Sequence, residues 1–594
     1  MRHHATLSLF TALGIAAFLG CSGAPSSTSG PDAGIVAASG SGWSSSPASK
    51  AIDDALARAW TAKGLTPSAD VDDATFLRRA TLDIVGRIPT VEEARAFLDD
   101  GTVDKRARAV DRLIASPEHD RHLARTWETV LLGDEVKERI VDRAAFRRFL
   151  ERRFAKNAPW DEIVTEIVTA EGRTSLGGER KRGSALLDDP EMGTQEADHG
   201  VSGAANYYLR FAKAPQDIAG VTSRAFLGVQ IQCAQCHDHK TESWKQADFR
   251  SFASAMARVK IEPIDRTKGM MSVFEISNAK RPPRKLLRDD DLRAIFDAPP
   301  RALDGTDLTD APNVREALAK WMTSRENPWF SRAMANRVWA EMMGQGLVEP
   351  VDDLREKNPA IVPEVLDVLA EGFEASGFDV DYLYRTIALS QAYSRVVTEG
   401  KGSARDDLFA RAELRPLGSD VLLDSLFVAT DLEHLLEERA PERADLVKAF
   451  LRRQMRFVFE SDTESNGESY DGTLQQALFS MNGAMPIAAT TVAPGTVLSS
   501  LVGKDDEAVI EELWLRALSR RPEASEIAEA RAFVNGPHPD GGANDEGRPA
   551  RPRGKERRLV PPAALRSQAD DDRERAYEDL FWALLNSSEM NFRR

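Results

Sequence analysis

Residues 76 to 98 read Phe76-Leu-Arg-Arg-Ala-Thr-Leu-Asp-Ile-Val-Gly-Arg-Ile-Pro-Thr-Val-Glu-Glu-Ala-Arg-Ala-Phe-Leu98. Phe76 to Val85 reads as a helix, and Arg87-Ile88-Pro89 as a turn. Thr90 with Glu93 has the spacing of a capping box, in which each residue satisfies a free backbone N–H of the other. Val91, Ala94 and Phe97-Leu98 then recur at helical spacing. Helix, turn, capped helix is the pattern that decides the fold class, because it recurs along the chain.

Working outward, helices are expected over Ala51–Ala62, Arg106–Ile114, His122–Leu132, Ala144–Phe154, Trp160–Thr169 and Ser243–Val259, while Asn206–Phe211 and Pro215–Leu227 read as ordered chain leading into the cysteine stretch. In the second half they are expected over Trp329–Met343, started by Asn327-Pro328 and stopped by Gly344, and over Val362–Ser376, Val380–Ala392, Ser419–Thr430, Ala444–Val458, Leu474–Met481, Asp506–Ala517 and Arg573–Asn586. Val273 to Ile276 reads as a short strand. Gly172 to Gly200 reads as a long loop. The predicted fold is mainly α: two helical domains, 49–287 and 314–592, with a small β insertion near their junction and a polar insertion over 536–568 that is expected to be disordered. Leu515 to Val534, LRALSRRPEASEIAEARAFV, echoes Leu82 to Leu98, and we read this as convergence on a favourable helix–turn–helix.

The N-terminus sets the compartment. Arg2 precedes a short apolar run, Leu7 to Leu19, too short to span a bilayer. Phe18-Leu19-Gly20-Cys21 resembles a bacterial lipobox, so 1–20 is expected to be a signal peptide and Cys21 a lipidation site. A flexible tether over 21–48, rich in Ser, Gly and Ala, would hold the body off a membrane. The expected location is the cell envelope, by export. A net charge of −16 argues against a nucleic-acid partner.

Chemistry concentrates in Gln232 to Lys240, QCAQCHDHK. With Cys21 set aside, Cys233 and Cys236 are the remaining cysteines of the chain. Cys-x-x-Cys-His is the attachment signature of c-type haem: the thiols reach two vinyl groups, and His237 presents an imidazole to the iron. Three other readings stand beside it. Zinc could be held by Cys233, Cys236, His237 and His239, although no second cysteine pair completes a usual site. The thiols could form a redox-capable disulfide, or the motif could be inert. His239 could equally be a solvated loop residue. A second polar string comprises Asn336, Arg337, Asp352, Asp353 and Arg355. Paired carboxylates beside arginine could serve acid–base chemistry or hold a metal or carbohydrate. The plainer reading, preferred here, is an ion-pair network fixing a loop to a helix.

SRAFLGVQIQCAQCHDHK (Ser223 to Lys240) and the opening stretch resemble the planctomycete cytochrome-C-like domain of unknown function, as does the pairing of Trp244 with Phe249. Asn327 to Pro359, Leu417 to Leu426, Leu474 to Gly483 and Tyr577 to Phe592 resemble the companion domain that follows it in the same proteins. The resemblance implies the family's cytochrome-like label, and with it haem c, electron transfer or redox sensing, and a redox partner. Against that stands a surface scaffold or polysaccharide-binding protein in which CxxCH is a zinc or disulfide clip. This chain departs from the family pattern at Lys240, where proline is common, at Gln345, where arginine is usual, and at Val362, where a His-Pro pair often begins.

Overall fold

The computed structural model describes residues 46–133, 140–175, 200–212, 214–238, 243–265, 273–279, 288–398, 402–459, 476, 489–536 and 567–594. The chain is mainly α-helical, with two small sheets among the described residues. The opening stretch folds as its sequence dictates. Helix Asp73–Val85 starts at Asp72, whose carboxylate accepts from the Thr75 amide, and ends at Gly86 in the left-handed region (φ 76°). Helix Val91–Asp99 carries the Thr90–Glu93 capping box: the Glu93 amide donates to Thr90 Oγ1 at 3.2 Å and the Thr90 amide to Glu93 Oε2 at 2.8 Å. Arg87 closes the turn by pairing with Glu93 and Glu118.

The echo in the sequence is also an echo in structure. Helix Asp506–Leu518 ends at Ser519 in the left-handed region, and helix Ala524–Val534 begins with a Glu523–Glu526 capping box. Arg520 takes the place of Arg87, donating to Glu526 at 2.7 and 2.8 Å and to Glu589 at 2.8 Å. The two units meet face to face, joined by Arg95–Glu512 at 2.9 Å and Arg521–Asp99 at 2.7 Å.

Most other predicted helices appear within a few residues of their expected ends, such as Trp160–Thr169, Phe330–Met343, Pro363–Ala375 and Ser419–Thr430. Ser243–Val259 needs correction. Its helix covers Gln246–Met256, and Val259 opens a strand, Val259–Asp265, that pairs antiparallel with Val273–Asn278. Val259-Lys-Ile261 alternates apolar and charged side chains, a two-residue period that ends the helix. Gly172–Arg173 adds a third strand, at the start of the expected loop. Residues 176–199, most of Leu474–Met481 and most of the 536–568 insertion lie outside the described residues.

Packing ignores the order of the chain. One apolar cluster runs from Ile52 through Trp160, Phe226 and Phe249 to Trp339, Phe373 and Phe409. A second joins Leu82 and Ile88 to residues between Leu422 and Met590, including Trp514 and Phe581. The first described helix, Pro47–Lys63, lies on Pro363–Ala375. It is pinned by Ser49 Oγ donating to the Thr386 carbonyl at 2.9 Å and Trp60 Nε1 to the Leu408 carbonyl at 2.8 Å. At the other end, Phe592–Arg593 pairs with Arg415–Pro416. The Arg593 guanidinium grips buried Asp83 at 2.8 Å, and Tyr393 Oη donates to the same carboxylate at 2.6 Å.

Candidate functional site

The CxxCH stretch occupies one 3₁₀ turn, Gln232–Gln235, followed by Cys236 and His237. A 3₁₀ turn has three residues per repeat, so residues three apart eclipse. Cys233 and Cys236 therefore project from the same side. Ala234 and Ile231 point into the core, while both thiols and the imidazole are exposed. The cysteines are free thiols, not a disulfide.

Three glutamines and an aspartate shape this turn. Gln246 Nε2 donates to the carbonyls of Gln235 (3.1 Å) and Cys236 (3.0 Å), and its amide donates to Asp238 Oδ1 (2.9 Å). The Asp238 carboxylate thus sits at the start of helix Gln246–Met256, where the helix dipole favours negative charge. Gln232 Nε2 donates to Gln235 Oε1 at 2.6 Å. Gly220 permits this, since a Cβ there would lie 1.5 Å from Gln232 Oε1. His237 Nδ1 contacts the Asp238 carbonyl at 2.8 Å. A carbonyl only accepts, so Nδ1 carries the proton and Nε2 keeps a free lone pair.

A dry slot bordered by Trp244 is what a porphyrin would need; the exposed thiols instead lie on the surface. Trp244 turns inward, with its ring 6.5 Å from Trp329, itself 6.2 Å from Trp321. The reason lies in the composition of the turn: only Ile231 and Ala234 are apolar, so only they are drawn under. His239, Lys240 and the Cys21 lipidation site fall outside the described residues. Among the described residues no group of three or more His, Cys, Asp or Glu side chains could hold a metal ion.

The second polar string proves to be contiguous with the first. Asn336, fully buried, donates through Nδ2 to the carbonyls of Val348 (2.9 Å) and Val351 (3.1 Å), and its Oδ1 accepts from the Val348 amide (2.9 Å). It clamps the loop that follows its helix. Asp353 Oδ2 pairs with Arg355 Nε at 3.0 Å and accepts from Asn358 Nδ2 at 3.3 Å. Asp352 reaches outward to the other half of the chain, accepting from Gln230 Nε2 at 2.7 Å, and the Leu354 amide donates to the Gly228 carbonyl at 2.7 Å. Arg337 lies over the Trp127 ring at 5.7 Å, and burial pulls its pKa down despite Asp352 and Glu341 nearby. Four of these five side chains therefore make internal bonds that fix a loop, and the loop fixes residues 228–230 at the entry to the CxxCH turn. Sequence reasoning missed Gln230 and Gln246. The signal for Gln230 was a polar residue inside the apolar run Phe226 to Ile231; Gln246 had none.

Among the described residues no helix is long and apolar enough to cross a membrane. Comparison with known families finds two matches. Residues 51–261 match PSCyt2, a protein family of unknown function (DUF1549), and residues 314–464 match PSD1, a protein family of unknown function (DUF1553). No curated protein and no solved structure matches the chain. The chain belongs to the proteins that carry a PSCyt2 domain followed by a PSD1 domain.

Proposed function

We propose that the chain is an exported, lipid-anchored redox protein of the bacterial cell envelope whose Cys233, Cys236 and His237 receive a c-type haem. The observation that carries this reading is the turn itself: two free thiols on one side, and an imidazole whose Nδ1 is held by the Asp238 carbonyl so that Nε2 is open to ligate. A backbone carbonyl on the far nitrogen is how ligating histidines are oriented. The donor set fits haem. Cys233, Cys236 and His237 would hold the group. A bound haem would supply one-electron transfer there. The chain's own part is to hold the thiols on one side of the turn through Gln246 and Gln232, and to keep the turn in register through the Gln230–Asp352 bond. The exposed position suits exchange with a redox partner at the surface. Cys21 would supply the membrane anchor.

The test is protein made with and without a cytochrome c maturation system, beside a Cys233→Ala/Cys236→Ala variant. A Soret band and a covalent haem adduct in the parent, lost in the variant, are expected. A parent that carries no haem and binds stoichiometric zinc lost in the variant would sink the proposal. The chain would then be a surface scaffold or polysaccharide-binding protein with a metal clip.

A further inference from the structure

Away from the CxxCH turn, two histidines lie one helical turn apart on helix Pro117–Leu132, and each meets a carboxylate of the PSD1 half. His119 is fully buried. Its Nδ1 lies 2.7 Å from the Ile84 carbonyl and its Nε2 lies 3.2 Å from Asp381 Oδ1. Its ring stands edge-on to Tyr384 at 5.1 Å. His122 Nε2 lies 3.6 Å from Glu341 Oε1, too long for a hydrogen bond but a close Coulombic contact. Gly86 admits that imidazole, since a Cβ there would fall 2.4 Å from His122 Nδ1.

The contacts of His119 fix where its protons must be. A carbonyl only accepts, so Nδ1 donates to Ile84. A neutral imidazole would then turn the Nε2 lone pair toward a carboxylate oxygen, two acceptors face to face. One proton between Nε2 and Oδ1 removes that conflict and makes a charge-assisted bond. The surroundings hold a surplus of acid. Burial raises the carboxyls of Asp120 and Asp379, and Asp381 adds to both rises. Cations of the packed elements are engaged with other groups: Arg385 with Asp111 at 2.6 Å, Arg593 with Asp83 at 2.8 Å, and Arg143 and Arg147 with Glu128. Arg337 faces Asp352 and Glu341, and exposed Arg121 lies near Asp120. Tyr384 stays protonated, because burial, with Glu341 bonded to it, holds its hydroxyl well above the ordinary range. A proton on His119 is therefore the charge that this buried acidic group lacks.

We propose that His119 and Asp381 form a pH-sensitive latch that holds helix Val380–Ala388 of the PSD1 half to helix Pro117–Leu132 of the PSCyt2 half, with His122 and Glu341 as a weaker second contact. Histidine is the side chain whose charge ordinarily changes between pH 5 and 8. At the acid end of that range the shared proton is in place and the latch is closed. As pH rises and the proton leaves, the two lone pairs repel, and Asp381, 30% exposed, swings to water. The latch owes nothing to haem and stands or falls apart from the redox reading.

Hydrogen exchange of the Val380–Ala388 amides, corrected for the intrinsic effect of pH, reads the latch directly. It is measured in an Asp53→Asn chain, because Asp53, raised to about 7 by burial, bonds the Gln391 amide just beyond this helix. Protection should fall about threefold to tenfold from pH 5 to pH 8, the range expected of one charge-assisted bond at a partly exposed site. Adding Asp381→Asn should flatten that fall, because an amide donates to a neutral Nε2 and accepts from a charged one. Protection that is flat without Asp381→Asn, or that falls equally with it, would overturn the proposal.

Discussion

Gly228 and Gly64 form a matched pair. Both follow a helical turn in the left-handed region, Gly228 at φ 63°, ψ 28° and Gly64 at φ 64°, ψ 29°. An L-residue in that conformation costs roughly 1–2 kcal/mol. Their surroundings differ. A Cβ on Gly64 meets nothing within 4 Å, whereas one on Gly228 would lie 2.8 Å from Leu354 Cδ1, 3.0 Å from Leu354 Cγ and 3.3 Å from Ala333 Cβ. Leu354 cannot easily retreat, because it is buried and its amide is bonded to the Gly228 carbonyl at 2.7 Å. Overpacking of that kind costs about 1–3 kcal/mol more. Gly64→Ala should therefore lose about 1–2 kcal/mol and Gly228→Ala about 2–5 kcal/mol. Urea unfolding followed by tryptophan fluorescence measures both, in the transition of the apolar cluster that Trp60 and Leu354 share. Equal losses in the two variants, within about 0.5 kcal/mol, would refute the claim that the 354 loop presses on the segment leading to the cysteines.

Burial raises the Asp53 carboxyl from 3.8 to about 7, against the lowering effect of its hydrogen bond from the Gln391 amide. Folded protein then holds this proton more tightly than unfolded protein does. Stability present below pH 4 is lost as pH rises through 7, by about 2–4 kcal/mol after allowing for partial exposure; Asp53→Asn should flatten that decline between pH 5 and pH 8 in urea melts, and an unchanged slope would count against it. Arg593→Met removes the nearest counter-charge of the buried Asp83 carboxylate, leaving Arg415 at 3.8 Å, and should cost up to about 3–5 kcal/mol, with part of the loss restored by adding Asp83→Asn; a melting temperature unmoved by the single change would show that the pair is dispensable. Asp353→Ala should cost only about 1–2 kcal/mol, because the Arg355 side chain is 35% exposed and can turn to water; abolition of a binding activity at unchanged stability would instead give Asp353 a direct functional role.

Local structure was legible where the signal was local. The Thr90–Glu93 capping box, the Gly344 stop (φ 95°) and the Asn327 cap, which accepts from the Trp329 and Phe330 amides, each follow from residues a few positions apart. The strand from Val259 was not, because Pro263 interrupts it and its partner Val273–Asn278 follows a separate stretch of chain. Nor did the CxxCH spacing reveal exposure. Whether a thiol faces solvent depends on which neighbours are apolar enough to be drawn under, and here those are Ile231 and Ala234. Least legible was the joining of the two polar strings. Gln230 and Asp352 are 122 positions apart, and no periodicity encodes a bond at that separation.

The grip of Arg593 on Asp83 spans 510 positions, and Ser49 and Trp60 reach residues 386 and 408. A ribosome delivers these partners in sequence, and contacts this distant in the chain are slow to close. The first helices therefore leave the ribosome long before the groups that complete them. Until then Asp83 has no cation and the apolar side of Pro47–Lys63 has nothing to lie on. The nascent chain must wait, unfinished, for its own far end, and its early segments depend during that interval on whatever shields exposed apolar surface in the cell.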